Sequence, residues 1–277
     1  TPKLTININK WIYSELLLAK DKIEKNLKEY RFDEAAKNAY QFSWHSYCDL
    51  YIELSKTILF SEDEKAKDEV REVSAYIFKQ ILILLHPFIP FITEEIWLKN
   101  KFDKSGKNFL MLANWPSGKF KKDLSTDQVE KLISIISELR SFKNELSVKP
   151  GSFIDISIEG INKNEQSFFL ENEIILKRLG RINNLFEKDL DKPAPTLMVS
   201  GDLFKVYFAE DVDLKLIKEN LINKKNKYQQ EIDKISKRLA NKGFADGAPK
   251  DIVDQEKTNY SNLENNIKKI LVTIESL

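Results

Sequence analysis

Basic side chains that could bind phosphate are concentrated near the end of this 277-residue sequence. Between Lys215 and Lys242 there are nine basic and three acidic residues, a net charge of +6. Such a run gives a helix a positive side, the electrostatic footprint expected for contact with nucleic-acid phosphates. A solvated coiled-coil face would show the same pattern, and the sequence leaves both interpretations open. We define the basic ridge as Lys224, Lys225, Lys227, Lys234, Lys237, Arg238 and Lys242.

Residues suited to catalysis are few. The chain has two histidines, His45 and His86, and one cysteine, Cys48, with no grouping spaced like a metal site or a nucleophile triad. We predict that His86 is a helix-end residue bonded to backbone, that His45 is a partly buried surface ring, and that Cys48 is a small core residue. A single cysteine excludes an internal disulfide and a multi-cysteine zinc site. We therefore predict no catalytic residue, no metal site and no cofactor in this chain.

Composition points to long helices in a soluble protein. The sequence is 42% hydrophobic and contains only 8 Gly and 8 Pro, so few residues interrupt helices. Its length suggests two or three structural units. No apolar stretch approaches the ~20 residues of a membrane span, and no signal-peptide pattern follows Thr1. We expect a cytoplasmic protein without a membrane partner.

Residues 1–120 carry the pattern of a helical bundle. We predict one helix over Asn7 to Tyr30 and a second from a capping Asp33 to about Phe60. The second has the expected apolar face Ala36, Tyr40, Tyr47, Leu50, Leu54 and Ile58. A capping box of Ser61 and Glu64 should open the third helix, whose buried stripe is Val70, Val73, Ile77, Ile81 and Leu84. The prolines at 87 and 90 then end that helix near Leu85 and start a fourth around Pro90, with Thr93, Glu94 and Glu95 near its start. Four successive helices predict a bundle.

Residues 121–212 have a different pattern, typical of a small α+β unit. Ser125 and Gln128 can cap a helix, and three short β-branched and aromatic segments follow at Phe153 to Ile158, Thr196 to Val199 and Leu203 to Phe208. The last two should form a hairpin. We expect a helix within residues 164–186 to pack on this sheet, with a further strand near Asn183 to Phe186.

Residues 213–277 predict an antiparallel coiled-coil hairpin. Apolar residues recur near heptad seam positions in the outgoing arm at Leu214, Ile217, Leu221, Tyr228, Ile235 and Leu239. After a break at Gly243 to Pro249, a second seam follows at Ile252, Tyr260, Leu263, Ile267, Ile270, Ile274 and Leu277. Each arm is too short to be a stable helix alone, so the arms must pair with each other or pack on another surface. The predicted fold is mainly α: a helical bundle, a small α+β unit and this hairpin.

Several sequence motifs together resemble the C-terminal region of class I aminoacyl-tRNA synthetases of the valine, isoleucine and leucine group. The longest is the run from His86 to Trp97, which spans the double-proline elbow. The others are Asn9-Lys10-Trp11-Ile12, Arg31 to Ala36, Trp44 to Lys56 and Trp115-Pro116. The hairpin, with Asn241-Lys242-Gly243-Phe244 and Ala248-Pro249 at its tip, is similar to the C-terminal arm of the valine enzymes. A single cysteine also argues against the zinc module that usually ends the isoleucine enzymes.

The resemblance implies a tRNA-binding role for this chain within a longer enzyme. That enzyme would activate valine with ATP and Mg²⁺ and transfer it to its tRNA, and we expect it to be a monomer. Neither the HIGH nor the KMSKS signature is present, so catalysis would lie outside this chain. Residues 1–120, without the bundle's first helix, would hold the anticodon arm, and residues 213–277 the outer corner of the tRNA. Phe244 would stack on a base or close the hairpin tip.

Two alternatives also fit the sequence. The elbow alone also fits an isoleucyl- or leucyl-tRNA synthetase. A non-catalytic helical scaffold that binds a protein partner through its coiled coil would show a similar pattern, and its mark would be an exposed apolar stripe on the folded hairpin.

Overall fold

The structure is a computed structural model that describes residues 2–102, 109–118, 126–146, 151–159, 161–191, 194–199, 202–208, 214–241 and 250–277. The chain divides into two compact units, Thr1–Ile133 and Ser134–Leu277. None of the helices in the described ranges is long and apolar enough to cross a membrane.

The first unit is a helical bundle. Its elements are α1 (Asn7–Lys28), α2 (Phe32–Gln41), a π-helical segment (Phe42–Tyr51), α3 (Ile52–Leu59), α4 (Glu64–Leu85), α5 (Pro90–Lys99) and a 3₁₀ turn (Leu110–Leu112). The predicted stripe of α4 is confirmed, because Val70, Val73, Ile77, Ile81 and Leu84 are all buried.

The predicted second helix is continuous from Phe32 to Leu59, but its middle is wound as a π-helix. The junction residues Phe42 and Ile52 keep right-handed helical backbone angles. The π-winding changes which side chains face inward. In α2, which precedes the π-helical segment, Ala35 and Ala39 are buried and Tyr40 is exposed. The prediction that Ala36 and Tyr40 face inward was therefore wrong by one residue.

Two helix caps of the bundle differ from the predicted ones, whereas Ser125, the predicted cap of the first helix after the bundle, lies outside the described residues. Asp33 lies inside α2, which starts at Phe32 and has no side-chain cap. At α4 the cap is Asp63, whose carboxylate accepts from the Ala66 N–H at 3.1 Å, and Ser61 does not cap. Several polar residues near a helix start compete for the cap, and local order alone does not select among them.

The start of α1 is capped from a distant helix. Ile6, at its N-cap position, supplies no side-chain bond. Instead Glu69 of α4 accepts from the backbone N–H groups of Thr5 and Ile6 at 2.9 and 3.0 Å, and from Asn9 Nδ2 at 2.9 Å. Burial opposes the charged carboxylate, but hydrogen bonds from Thr5, Asn9 and Ile6 outweigh burial and hold the pKa of Glu69 at about 2. Fully buried Asn9 in turn accepts from the Tyr51 hydroxyl at 2.7 Å.

The double-proline elbow separates α4 and α5 as predicted. The ring of His86 hydrogen-bonds to a side chain, rather than to backbone as predicted: its Nδ1 lies 2.8 Å from the buried Thr93 hydroxyl. That hydroxyl donates to the Ile89 carbonyl at 2.9 Å, so Thr93 closes the elbow instead of capping α5. Glu94 accepts from the Leu110 N–H at 3.0 Å and fixes the 3₁₀ turn.

The second unit combines a sheet with the helical hairpin. Its elements are α6 (Asp127–Glu145, which begins before the division), β1 (Ile154–Ser157), α7 (Lys163–Glu171), α8 (Glu173–Gly180), β2 (Ile182–Phe186), β3 (Thr196–Val199), β4 (Asp202–Phe208), α9 (Leu214–Ala240) and α10 (Lys250–Ser276). The strands lie in the order β2-β1-β4-β3, with β1 and β2 parallel and the other pairs antiparallel. The predicted strands are confirmed, and so is the predicted β-hairpin, which is formed by β3 and β4. The helix expected within residues 164–186 is two helices, separated at Asn172.

The hairpin helices α9 and α10 pack along an apolar seam. Ile232, Ile235 and Leu263 are buried at its centre, flanked by Tyr228, Leu239, Tyr260 and Ile267. The predicted seam is largely confirmed, except that Ile232 belongs to it and Ile252 is 42% exposed.

At the other end of the hairpin, α10 meets the sheet. The hydroxyl of Thr273 donates to the Thr196 carbonyl at 2.9 Å, and Ser276 Oγ accepts from the Thr196 N–H at 2.7 Å. Thr196 lies on β3, the edge strand, so α10 satisfies backbone groups that an edge leaves unpaired.

Candidate nucleic-acid interface

The described part of the basic ridge lies on α9. Lys227, Lys234, Lys237 and Arg238 are exposed, and we call these four the outer ridge residues. Lys227, Lys234 and Arg238 follow at intervals of seven and four, which places them on one side of the helix. This side flanks the seam, since Lys227 and Lys234 directly precede the seam residues Tyr228 and Ile235.

The remaining ridge residues are placed differently. Lys224 and Lys225 are half-buried, and Lys224 Nζ lies 5.6 Å from the centre of the Tyr228 ring. Such a contact covers apolar surface with the side-chain stem while the ammonium stays polar. Lys242 and Phe244 lie outside the described residues.

One outer ridge residue also binds within the hairpin. Arg238 Nη1 lies 2.6 Å from Glu256 Oε1 on α10. The pair joins the two helices near the tip and partly neutralises Arg238. The exposed charge of the outer ridge is therefore carried mainly by the three lysines.

The paired helix α10 lacks this charge. The sequence of α9 contains eight basic and three acidic residues, a net charge of +5, whereas that of α10 contains four and five, a net charge of −1. Both helices have 27 residues and share one seam. The net charge of −1 on α10 offsets only part of the +5 on α9, so the paired helices keep a net charge of +4 that their pairing does not balance.

The structure adds two polar residues that the sequence argument did not include. Asn220 and Asn223 are exposed and lie seven and four residues before Lys227. They extend the outer ridge by two helical turns with amide groups that hydrogen-bond phosphate and ribose. The intervals of seven and four residues that connect the outer ridge residues, counted back from Lys227, predict both asparagines from the sequence alone.

Exposed aromatic rings in the bundle were also not predicted as site residues. Tyr40 and Trp44 are 60% and 56% exposed, their ring planes lie within 6° of parallel, and their centres are 6.4 Å apart. Tyr30, in the turn before α2, and Phe32, the first residue of α2, form a second exposed pair in edge contact at 6.3 Å. Flat exposed rings are surfaces on which unpaired bases stack.

Two residues with potential reactivity differ from their predictions. Cys48 is exposed rather than in the core, but its thiol is partly covered, and this partial burial, followed by the charge of Asp49, raises the pKa of the thiol. A raised pKa leaves little reactive thiolate. The His45 ring is 70% exposed, more than predicted, and lies 3.5 Å from Asp49. Within the described ranges, no group of three or more His, Cys, Asp or Glu side chains could hold a metal ion.

The sequence matches a family model over the bundle and beyond. The model, described as the anticodon-binding domain of tRNA ligase, covers residues 9–158, more than half of the chain. The chain belongs to this family of tRNA-ligase anticodon-binding domains. A second model, the valyl tRNA synthetase tRNA binding arm, matches residues 213–277 of this anticodon-binding family member. The resemblance drawn from the motifs is confirmed.

Individual relatives agree with both matches. This anticodon-binding family member is 78% identical over 276 residues to a valine–tRNA ligase of Pelagibacter ubique. The match covers 100% of the chain and 32% of the relative. Valine–tRNA ligases of Brucella suis and Ruegeria pomeroyi are 31% and 32% identical over 97% and 93% of the chain. These matches cover 30% and 25% of the two relatives, so the chain spans between a quarter and a third of these relatives.

Proposed function

We propose that this chain is the tRNA-holding region of a valine–tRNA ligase. The observation that carries the proposal is the charge difference between the paired helices α9 and α10, within a segment that matches a tRNA-binding arm. The alternative of an isoleucine or leucine enzyme receives no support from the relatives, which are named as valine–tRNA ligases.

In this proposal the arm binds tRNA through its backbone. Lys227, Lys234 and Lys237 bind phosphates, and Asn220 and Asn223 bind phosphate or ribose oxygens further along α9. Side chains do not enter the deep major groove of A-form RNA, so an exposed helix recognises shape and charge rather than base sequence. The arm would therefore supply affinity, and base selection would lie elsewhere.

The bundle supplies the complementary contact. The Tyr40 and Trp44 rings, with Tyr30 and Phe32, offer exposed faces for the unpaired bases of the anticodon loop. Stacking on one aromatic ring contributes roughly 1–3 kcal/mol per base. Because stacking tolerates every base, these rings would hold the loop open for groups that read base edges.

The protein-scaffold alternative requires an exposed apolar stripe on the hairpin. The large exposed apolar side chains on the described parts of α9 and α10 are Leu216, Ile222, Ile252 and Leu271. The first two lie six residues apart and the last two nineteen, so they do not form a continuous stripe. This arrangement disfavours protein binding through the coiled coil.

We further propose that the full-length protein joins valine to its tRNA with ATP and Mg²⁺, as a cytoplasmic monomer. No catalytic step is assigned to the described residues. Their part would be to hold the tRNA while its acceptor end reaches the reaction centre, which raises the effective concentration of the reacting hydroxyl.

Aminoacylation by the full-length protein tests this function. With ATP, Mg²⁺ and unfractionated tRNA, we expect radiolabelled valine to be transferred to tRNA and isoleucine or leucine to be transferred poorly. Deletion of residues 213–277 should raise the KM for tRNA, and the KM for valine should stay unchanged. Charging with isoleucine or leucine, or tRNA binding without any charging, would contradict the proposal.

A further inference from the structure

A second concentration of positive charge lies at the C-terminal end of α8, apart in sequence from the basic ridge. Arg140 Nη2 donates to the Leu179 carbonyl at 3.4 Å. Lys143 Nζ donates to the carbonyls of Ser152 and Gly180 at 2.9 and 3.0 Å. Arg181 follows Gly180 directly. Three cations from two segments thus converge on one helix end.

Nothing in the described ranges neutralises these three cations. Their acceptors are backbone carbonyls, and a helix C-terminus offers only about half a negative charge. Other lysines of the same unit have carboxylate partners: Lys177 lies 2.8 Å from Glu173, and Lys269 lies 2.8 Å from Glu138. Arg140, Lys143 and Arg181 form no ion pair with any described residue.

The electrostatics of Lys143 show the same imbalance. Its side chain is buried, and burial, then Arg181, then Arg140 lower its pKa to about 8. No carboxylate acts in the opposite direction. The cluster would gain from an anion, because an anion would reduce repulsion among all three cations.

Arg181 is held in a conformation that arginine rarely adopts. It is the C-cap residue of α8, with φ 54° and ψ 45° in the left-handed region where glycine is usual. Its guanidinium lies 5.8 Å from the ring of Phe153, which is 48% exposed. Arg140 is exposed as well. The left-handed residue ends α8 and leaves the Arg181 side chain exposed beside the Phe153 ring.

We propose that Arg140 and Arg181 bind a phosphate group of a polynucleotide backbone, with buried Lys143 adding charge beneath them and Phe153 supporting Arg181. This inference rests on the proposed tRNA-binding function and extends the contact from α9 to the α+β part of the same unit. Guanidinium groups suit this task, since each presents paired N–H donors to phosphate oxygens.

Replacement of both exposed arginines tests the site. We would compare Arg140→Gln/Arg181→Gln with Lys163→Gln/Lys188→Gln, which removes the same charge from exposed positions in the same unit. For the full-length protein, the first variant should bind tRNA roughly tenfold more weakly at 0.1 M salt, with a salt slope shallower by about 1.5. The control variant should change the affinity for tRNA by less than about twofold and should leave the salt slope unchanged. Circular dichroism would verify that both variants fold.

A proton measurement gives an independent readout. A bound phosphate should raise the pKa of Lys143, so tRNA binding at pH 8 should take up protons, detected by calorimetry in buffers of different ionisation enthalpy. Lys143→Met should abolish this uptake.

The outcomes distinguish failure of the phosphate site from failure of the proposed tRNA-binding function. If wild-type protein binds tRNA but both double variants have the same salt slope, the cations only cap α8; the inference is overturned and the proposed function stands. If wild-type protein binds no tRNA, both are overturned.

Discussion

The bundle and the hairpin are both helical, but they use polar residues in opposite ways. In the bundle, polar groups turn inward: Glu69 caps α1 and bonds Asn9, which is fully buried and bonds Tyr51. In the hairpin, the centre of the seam is apolar, and Lys227, Lys234 and Lys237 of α9 are exposed.

Because of this difference, stability and binding depend on different residues. A buried hydrogen-bond network fixes one arrangement of helices, since a broken bond leaves an unsatisfied polar group. An apolar seam packs in the same way whichever residues occupy the exposed face of the helix, so that face can carry charge that binds a partner. Substitutions in the bundle network should therefore change stability, whereas substitutions on the outer face of α9 should change binding alone.

The largest expected effect on stability is at the seam. Ile235→Ala removes buried methyl groups between α9 and α10 and should reduce the free energy of unfolding by about 3 kcal/mol. The matched control is Ile222→Ala on the same helix, where the side chain is 40% exposed, and its cost should stay near 0.5 kcal/mol. Urea unfolding measures both. Equal costs would show that the two helices do not rely on this seam.

The next effect is in the bundle network and depends on pH. Glu69→Gln should reduce the free energy of unfolding by about 1–2 kcal/mol at pH 7. Because the folded-state pKa of Glu69, about 2, lies below its ordinary value of 4.5, this stabilisation is complete above pH 4.5 and is lost as pH falls toward 2. Glu72→Gln, at an exposed position of α4, should show no such difference. A Glu69 effect that is constant from pH 7 to pH 3 would refute the charged cap.

A smaller effect is expected where α10 meets the sheet edge. Thr273→Val keeps the side-chain shape but leaves the Thr196 carbonyl without its donor, which should cost about 1 kcal/mol. Thr258→Val is the control, because that hydroxyl is exposed and donates within its own helix. Hydrogen exchange at the Thr196 amide should accelerate only in the first variant. Unchanged exchange would indicate that α10 is held there by other contacts.

Much of the helical framework follows from local sequence. Pro87 and Pro90 determine where α4 ends and α5 begins, since proline restricts its predecessor and lacks an N–H donor. The strand Thr196–Val199 and the seam of α9 follow from β-branched residues and heptad spacing.

Features that depend on distant residues could not be predicted in this way. The cap of α1 comes from Glu69, 60 residues beyond Asn9, and no local pattern connects them. A period of 3.6 residues cannot anticipate the π-helical segment, so it places Cys48 on the buried face, whereas Cys48 is exposed.

The same reasoning applies to the candidate interface. Charge composition alone located the basic ridge, because net charge needs no tertiary information. Arg140 and Lys143 lie on α6, whereas Arg181 ends α8, so their convergence required the fold.

The central claim is that α9 binds tRNA through its outer face, and charge reversal tests it most directly. Lys234→Glu/Lys237→Glu on α9 would be compared with Lys257→Glu/Lys268→Glu, the same change at exposed positions of α10. Measured for tRNA at several salt concentrations, the α9 variant should lose about 100-fold in affinity at 0.1 M salt, with a slope shallower by about 2. The α10 variant should stay within a fewfold of wild type. Equal losses in the two variants, or none in either, would contradict a specific role for α9.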